Sequence, residues 1–397
     1  MAHSREFPVF QLVQTVPIET ILGHPRTQPT LSVWQNLIRS ADSTIDMEFF
    51  YVSHQPGGVL QPIIDELKSA AQRGVQLRIV TDAKMARTYP ETIVELNSQA
   101  NISVKTISFY NRLGGVMHAK YFVVDNRWIF LGSQNMDWRA LQHIHELGVV
   151  IQNHRLAGLF SEVFQMDWKL ADLSESEFPE RLKSIPEDLR ITPQNPLILE
   201  NTPFGRIELY PTFSPLKFSP SGLVGDEEAL RQLLEQAEAN VRIQLLSYKT
   251  VGNHQFYPVL DNALRGAAVR GVEVQMIVSN WNTRQPDIHF LQSLQIIPNI
   301  SIAISSIPQW SGGFIPYARV EHCKFMLIDD ERTWIGTSNW AHSYFHSSRN
   351  LGLVIQNGAV NQVVREIFEK SWNSSYWEEL DPCKTYIPPQ ISGEEEK

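Results

Sequence analysis

Apolar residues at helical spacing, Val33, Trp34, Leu37 and Ile38, mark the first clear element, a helix with one buried face. A strand is expected to follow, from Thr44 to Tyr51. A second helix ends at Arg73-Gly74, where glycine takes the left-handed stop. Val75 to Val80 then looks like an inner parallel strand. Further along, the same order returns. Leu230, Leu233, Leu234 and Ala237 share a helical face, with Asp226 as the expected cap. A strand from Val241 to Tyr248, a helix stop at Arg270-Gly271 and an inner strand from Val272 to Val278 follow. Helices alternating with inner strands predict an α/β fold, with helices on the sheet faces.

The recurrence extends to residue identity. Ala70-Ala-Gln-Arg-Gly-Val75 matches Ala267-Ala-Val-Arg-Gly-Val272, and Met117-His-Ala-Lys120 matches Glu321-His-Cys-Lys324. Val150-Ile-Gln-Asn153 matches Val354-Ile-Gln-Asn357. From His118 to His322, and from Asn153 to Asn357, the offset is the same 204 positions, so nothing is inserted between these points. The chain therefore divides into two equivalent halves, 1–172 and 220–397. Residues 173–219, rich in proline and weakly periodic, are expected to be a linker between them or a surface excursion.

Composition narrows the classes. The 397 residues are 43% hydrophobic, enough for a large core. A formal net charge of −9 argues against a protein that coats long stretches of nucleic acid, but not against an enzyme gripping one phosphate. The 2 cysteines exclude a disulfide framework. No apolar stretch matches a secretory leader or a membrane span, so a soluble, cytoplasmic protein is the default expectation.

The chemistry lies in the repeated motif. His118-x-Lys120 is followed by Asp125 and then by Gly132-Ser133-x-Asn135. His322-x-Lys324 is followed, at identical gaps, by Asp329 and Gly336-Thr337-x-Asn339. Strand alternation puts each histidine and lysine on one face, with Asp125 and Asp329 on the other as braces. The glycines are expected to allow a tight turn that returns Ser133, Thr337, Asn135 and Asn339 toward the lysines. Negative oxygens shield a phosphodiester's phosphorus, so a site that cleaves it needs positive charge and fixed donors. Two lysines and two amides supply these with no metal and no cofactor. One imidazole can attack phosphorus while the other protonates the leaving oxygen.

Glu146 stands twenty-eight positions after His118, whereas the matching position after His322 is Asn350. A carboxylate holds an imidazole tautomer better than an amide does. That reasoning gives Glu146 to His118 as nucleophile and leaves His322 as general acid and base. Candidate catalytic residues are thus His118, Lys120, Asp125, Asn135, Glu146, His322, Lys324, Asp329 and Asn339. Candidate substrate contacts are Ser133, Thr337, Arg319, Trp138 and Trp340, although packing beneath the motif is the plainer role for the tryptophans. His143, His145, His342 and His346 are expected at the surface. The metal-like spacing of His342 and His346 has no carboxylate or cysteine close in sequence to complete it.

With these residues the chain resembles the duplicated phospholipase D superfamily. Within it, the chain is similar to the lysosomal phospholipase-D-like 5′ exonucleases of animals and their viral relatives. Leu131-Gly-Ser-Gln-Asn-Met-Asp-Trp-Arg139, Glu146-Leu-Gly-Val-Val150, Ile315-Pro-Tyr-Ala-Arg-Val320 and Ile335-Gly-Thr-Ser-Asn-Trp340 carry the likeness, which runs from about Val13 onward. The resemblance implies two α/β/α halves packed as a pseudo-two-fold sandwich around one shared site. It also implies catalysis without metal through a covalent phosphohistidine, and a two-fold homodimer. Its implied substrates are single-stranded DNA or RNA ends, with glycerophospholipids as the alternative. The animal proteins have a membrane anchor and lumenal cysteines that this sequence does not show, so a lysosomal location is not carried over.

Overall fold

The computed structural model describes residues 7–173, 177, 184–252 and 255–392. Two mixed sheets frame it. Edge to edge, the first runs Gln28–Pro29, Phe10–Thr15, Glu146–Gln152, Trp128–Gly132, Lys120–Val124, Thr44–Phe49, Gln76–Asp82 and Ile102–Ile107. The second runs Leu197–Thr202, Gly205–Ser214, Asn350–Gln356, Arg332–Gly336, Phe325–Ile328, Asn240–Leu245, Glu273–Ser279, Ile300–Ser305 and Trp377–Glu379. From the second strand to the eighth the two orders are the same, and Trp377–Glu379 is added at the far edge of the second sheet. In each half the expected inner strand is parallel to both neighbours, Gln76–Asp82 in one and Glu273–Ser279 in the other.

Between the sheets lie helices His154–Leu170 and Gly358–Trp372. Their apolar faces, including Phe160 and Phe164 on one and Val363 and Phe368 on the other, join the inner faces of both sheets in one buried cluster. Each of these two helices is capped by the asparagine that closes the repeat. Asn153 Oδ1 accepts from the Leu156 amide at 3.0 Å, and Asn357 Oδ1 from the Val360 amide at 2.8 Å. Outside the first sheet, helices Thr30–Arg39 and Gln61–Gln72 cover a second cluster built on Trp34, Leu37 and Ile38. Asp226–Glu235 and Val259–Val269 do the same for the second sheet. The result is five layers, α/β/α/β/α, as the duplication and the resemblance imply.

Two expectations about local structure need correction. Asp226 caps nothing: its buried carboxylate accepts from Thr212 Oγ1 at 2.7 Å, Trp334 Nε1 at 3.0 Å and the Ser338 hydroxyl, tying a helix to the sheet beneath. Part of the stretch taken as a linker, 174–176 and 178–183, lies outside the described residues, but its latter part is not a linker. Gly205–Ser214 pairs antiparallel with Asn350–Gln356, as Phe10–Thr15 does with Glu146–Gln152, so the second half begins before residue 220. Pro211 within that strand has no N–H to give the ladder, which is why the segment reads as irregular in sequence.

Candidate active site

The motif histidines sit just before the strands Lys120–Val124 and Phe325–Ile328, where the two halves meet in a pair of backbone seams. The His118 amide donates to the Arg349 carbonyl at 2.9 Å, and the Arg349 amide to that of Val116 at 3.0 Å. Across the pseudo-two-fold, the His322 amide donates to the His145 carbonyl at 3.0 Å, and the His145 amide to that of Val320 at 3.2 Å. Each motif is thereby zipped to the other half, directly ahead of Asn350 in one seam and of Glu146 in the other.

The histidine braces consequently cross between halves. His118 Nδ1 lies 2.9 Å from Asn350 Oδ1, and His322 Nδ1 lies 2.7 Å from Glu146 Oε2. The expected pairing of Glu146 with His118 is wrong, because spacing along the chain does not reveal which half supplies the neighbouring strand. The Asn350 amide is fixed in orientation: Nδ2 donates to the Tyr344 carbonyl at 2.9 Å, and Oδ1 accepts from Thr337 Oγ1 at 3.0 Å. Oδ1 therefore faces His118, whose Nδ1 must carry the proton, leaving Nε2 as a lone pair.

Both lysines are fully buried. Lys120 Nζ donates to the His118 carbonyl and Lys324 Nζ to the His322 carbonyl, each at 2.7 Å. Each ammonium keeps further donors for a ligand. Burial and then the neighbouring Lys324 hold the Lys120 ammonium well below its usual range, and burial brings Lys324 down to about 8. Burial, followed by the two lysines, holds both histidines well below their ordinary value. Burial also pushes Glu146 up to about 8, against the pull of Lys324, Ser133 and Lys120. An entering phosphodiester anion would offset this crowding of positive charge. His118 responds to Lys324 and His322, and Lys120 to Lys324 and Glu146, so the two motifs form one electrostatic unit.

Asn135 and Asn339 are buried, each with an Oδ1 that meets no hydrogen-bond partner among the described residues. Gly132 and Gly336 are there for close approach rather than for a turn. Gly132 pairs in register with Gly148, whose Cα a Cβ at 132 would meet at 2.9 Å, and Gly336 pairs likewise with Gly352. Ser133 and Thr337 are buried and bond to the strands carrying the braces. Ser133 Oγ accepts from the Leu147 amide at 3.1 Å, and Thr337 Oγ1 from that of Leu351 at 3.0 Å. They position Glu146 and Asn350 rather than face a substrate. Asp125 and Asp329 also lie away from the reacting groups. Asp125 accepts from the amides of Asp42, Ser43 and Thr44, and Asp329 from those of Glu238, Ala239 and Asn240.

The outer candidates separate. Trp340 is buried against Tyr248, in the core. Trp138 is partly exposed and edge-on to His143, with the Arg139 guanidinium 5.8 Å from its ring. Arg319 uses Nε on the Pro308 carbonyl at 2.6 Å and Nη1 on that of Ile18 at 2.8 Å, pinning a loop of the second half against the first. His342 and His346 are exposed as expected, but His143 and His145 are buried in the seam. Two further residues flank His118. Phe50 and Tyr344, both half-buried, place ring centroids 5.1 Å and 4.9 Å from that of His118. Strand position hinted at Phe50, whereas Tyr344 comes from the opposite half and had no local signal.

Two histidine–lysine pairs in one buried cationic site define a phosphodiesterase of the paired-motif type. The chain belongs to the phospholipase D-like family: the family model described as "Cardiolipin synthase, PLD-like domain" matches residues 35–168 and again 230–372. It is 31% identical to phospholipase D Z of Dictyostelium discoideum, covering 92% of this chain and 89% of that one. It is 30% identical to the mouse 5'-3' exonuclease PLD4, covering 93% and 79%. The crystal structure of Haemophilus influenzae phosphatidylserine synthase shares the fold, with a TM-score of 0.61 at 14% identity over 88% of this chain and 85% of that one. Among the described residues, no helix is long and apolar enough to cross a membrane.

Proposed function

We propose that the chain cleaves phosphodiesters through a covalent phosphohistidine on His118, with His322 as general acid and base, and that its substrate is a single-stranded nucleic acid attacked from its 5′ end. The observation that carries the assignment of roles is the pair of braces. The nucleophile must be neutral with Nε2 free, and the Asn350 carbonyl oxygen enforces that tautomer without adding the negative charge that would favour protonation. The acid must hold a proton before the bond breaks, and the hydrogen-bonded Glu146–His322 pair, whose carboxyl is pushed up to about 8, keeps one between them. The roles expected from sequence are kept, for the opposite reason.

In the first step His118 Nε2 forms a bond to phosphorus while the bond from phosphorus to the leaving oxygen breaks. His322 Nε2–H gives that oxygen its proton. In the second step a water oxygen attacks phosphorus, its proton passes to His322, and the phosphorus–nitrogen bond breaks. Lys120, Lys324 and the side-chain amides of Asn135 and Asn339 hold the phosphoryl oxygens, and their net positive charge is hostile to a divalent cation at the same place.

Two features support a nucleic acid substrate. Phe50 and Tyr344 offer partly exposed rings beside the phosphate position, where a base can stack. The mouse relative is named for 5′-3′ exonuclease activity. A phospholipid reading has support in the name of the Dictyostelium relative and in Phe314 and Tyr317, which expose apolar surface on the loop held by Arg319. The deciding experiment incubates the protein in excess EDTA with a 5′-hydroxyl oligonucleotide and, separately, with phosphatidylglycerol plus an alcohol, alongside His118→Ala. Stepwise shortening of the oligonucleotide that the variant lacks supports the nuclease reading. Headgroup exchange with an untouched oligonucleotide overturns it.

A further inference from the structure

One buried anion at the site has no part in the mechanism above. Glu321, the residue before His322, is fully buried, with Oε2 2.7 Å from His145 Nδ1 and Oε1 accepting from the Cys323 amide at 3.0 Å. The other ring nitrogen of His145, Nε2, lies 3.0 Å from Gln14 Nε2. The Gln14 amide has no freedom to turn. Its Oε1 accepts from the His24 amide at 3.0 Å and from Thr27 Oγ1 at 2.9 Å, and its Nε2 also donates to the Leu22 carbonyl at 3.0 Å. An amide nitrogen only donates, so His145 Nε2 must accept and the ring's proton must sit on Nδ1. His145 is thereby kept neutral, and Glu321 receives hydrogen bonds but no full positive charge.

The matching seam is built differently. Met117 stands where Glu321 does, and Arg349 stands where His145 does. The Arg349 guanidinium turns away to Asp167, at 2.7 Å. On the His322 side of the site thus stand Glu146 and Glu321, whereas on the His118 side Asn350 and Met117 take their places and the buried carboxylate of Asp82 accepts from the Met117 amide at 2.9 Å.

We infer that Glu321, kept anionic by the Gln14–His145 chain, is a positioning residue that holds the proton on His322 for its role as acid. The inference rests on the reading of His322 as the acid. The groups around that imidazole are Glu146, Glu321, Lys324, Lys120 and the backbone of Ser133, together with His118 across the site. Glu321 raises the proton affinity of the His322 imidazole and so opposes both lysines, which lower it. Its field also keeps the adjacent Cys323 thiol protonated, after burial, which is the larger cause. His145, Glu321 and Cys323 lie close enough to suggest a metal cluster, with their ligand atoms within 4.8 Å. The hydrogen bonds among them already satisfy the imidazole and the carboxylate, so a charge-setting chain describes them better.

The test compares two diester substrates. A p-nitrophenolate leaves without a proton, whereas a nucleoside 5′-oxygen needs one. Glu321→Gln keeps the side-chain shape and removes the charge. It is expected to slow cleavage of an oligonucleotide about tenfold more than cleavage of bis(p-nitrophenyl) phosphate. The alkaline limb of the oligonucleotide kcat profile should move to lower pH by about one unit. Gln14→Glu approaches the same end from the far side. An acceptor facing His145 Nε2 favours a doubly protonated ring that neutralises Glu321, so the same selective loss is expected even if Glu321→Gln does not fold. Equal slowing of both substrates with an unmoved limb, in whichever variant folds, would overturn the inference. His322→Ala is the control, read on the first-turnover burst because His322 also serves as base in the second step: if it slows the burst of both substrates alike, the acid assignment itself fails, and that result is separable from failure of Glu321.

Discussion

His118 and His322 share the same frame and differ in what stands behind them. Each precedes an inner strand, donates its amide to a carbonyl of the other half and accepts a lysine ammonium at 2.7 Å on its own carbonyl. Behind His118 is the neutral Asn350, supported by Thr337; behind His322 is the carboxylate of Glu146, with Glu321 beside it. Duplication supplies two copies of one imidazole, but the chemistry needs one imidazole without a proton and one with it. A single amide-for-carboxylate difference in the brace separates them, while the backbone that holds them stays matched.

Making the braces alike should cost the most. Glu146→Gln gives both imidazoles an amide and removes the main support for the acid. Oligonucleotide kcat should fall about a hundredfold with KM nearly unchanged. A loss below about threefold would show that the carboxylate does not distinguish the two sides.

The opposite change should do less. Asn350→Asp puts a carboxylate behind His118 and raises the pKa of the nucleophile, which is normally held low by burial and by the two lysines. Attack requires the neutral ring, so activity is lost as pH falls through that pKa. Raising it moves the acid limb of kcat/KM to higher pH, with a loss of about tenfold at pH 5 and little change at pH 8. A limb that stays in place would place the nucleophile elsewhere.

The smallest effect tests whether the frames match. Asn153→Ala removes one cap from a central helix and should cost about 1 kcal/mol, lowering Tm by about a degree in a chain of this length. Asn357→Ala loses the same cap and two further bonds, from Nδ2 to the Phe204 and Arg206 carbonyls, and should cost more, read by calorimetry. A larger loss in Asn153→Ala would mean that the two caps do not carry equivalent weight.

Much of this was legible in the sequence, because a duplication is read twice. The inner strands, the helix faces around Trp34 and Leu230, and the histidines, lysines and asparagines of the motif stand where the repeat places them. What the sequence hid was whatever depends on the contact between halves. The offset from His118 to Glu146 is a distance along the chain, and the strands cross, so the carboxylate reaches the other histidine. His145 reads as a polar surface residue until Gln14 and Glu321 close around it from two distant segments. Gly132 and Gly336 suggest turns, and their real role, strands in near contact, appears only once Gly148 and Gly352 are opposite. Pro211 concealed a strand one in from the edge of the second sheet.

The central claim is that His118 takes the phosphoryl group. The most direct measurement is to quench His322→Ala rapidly during turnover of bis(p-nitrophenyl) phosphate, a substrate whose departure needs no acid, and to map the adduct by tandem mass spectrometry under alkaline conditions. The account predicts an aryl-phosphoryl group on the peptide bearing His118, with none formed when His118 is also replaced. An adduct retained in His118→Ala and located on His322 would contradict it.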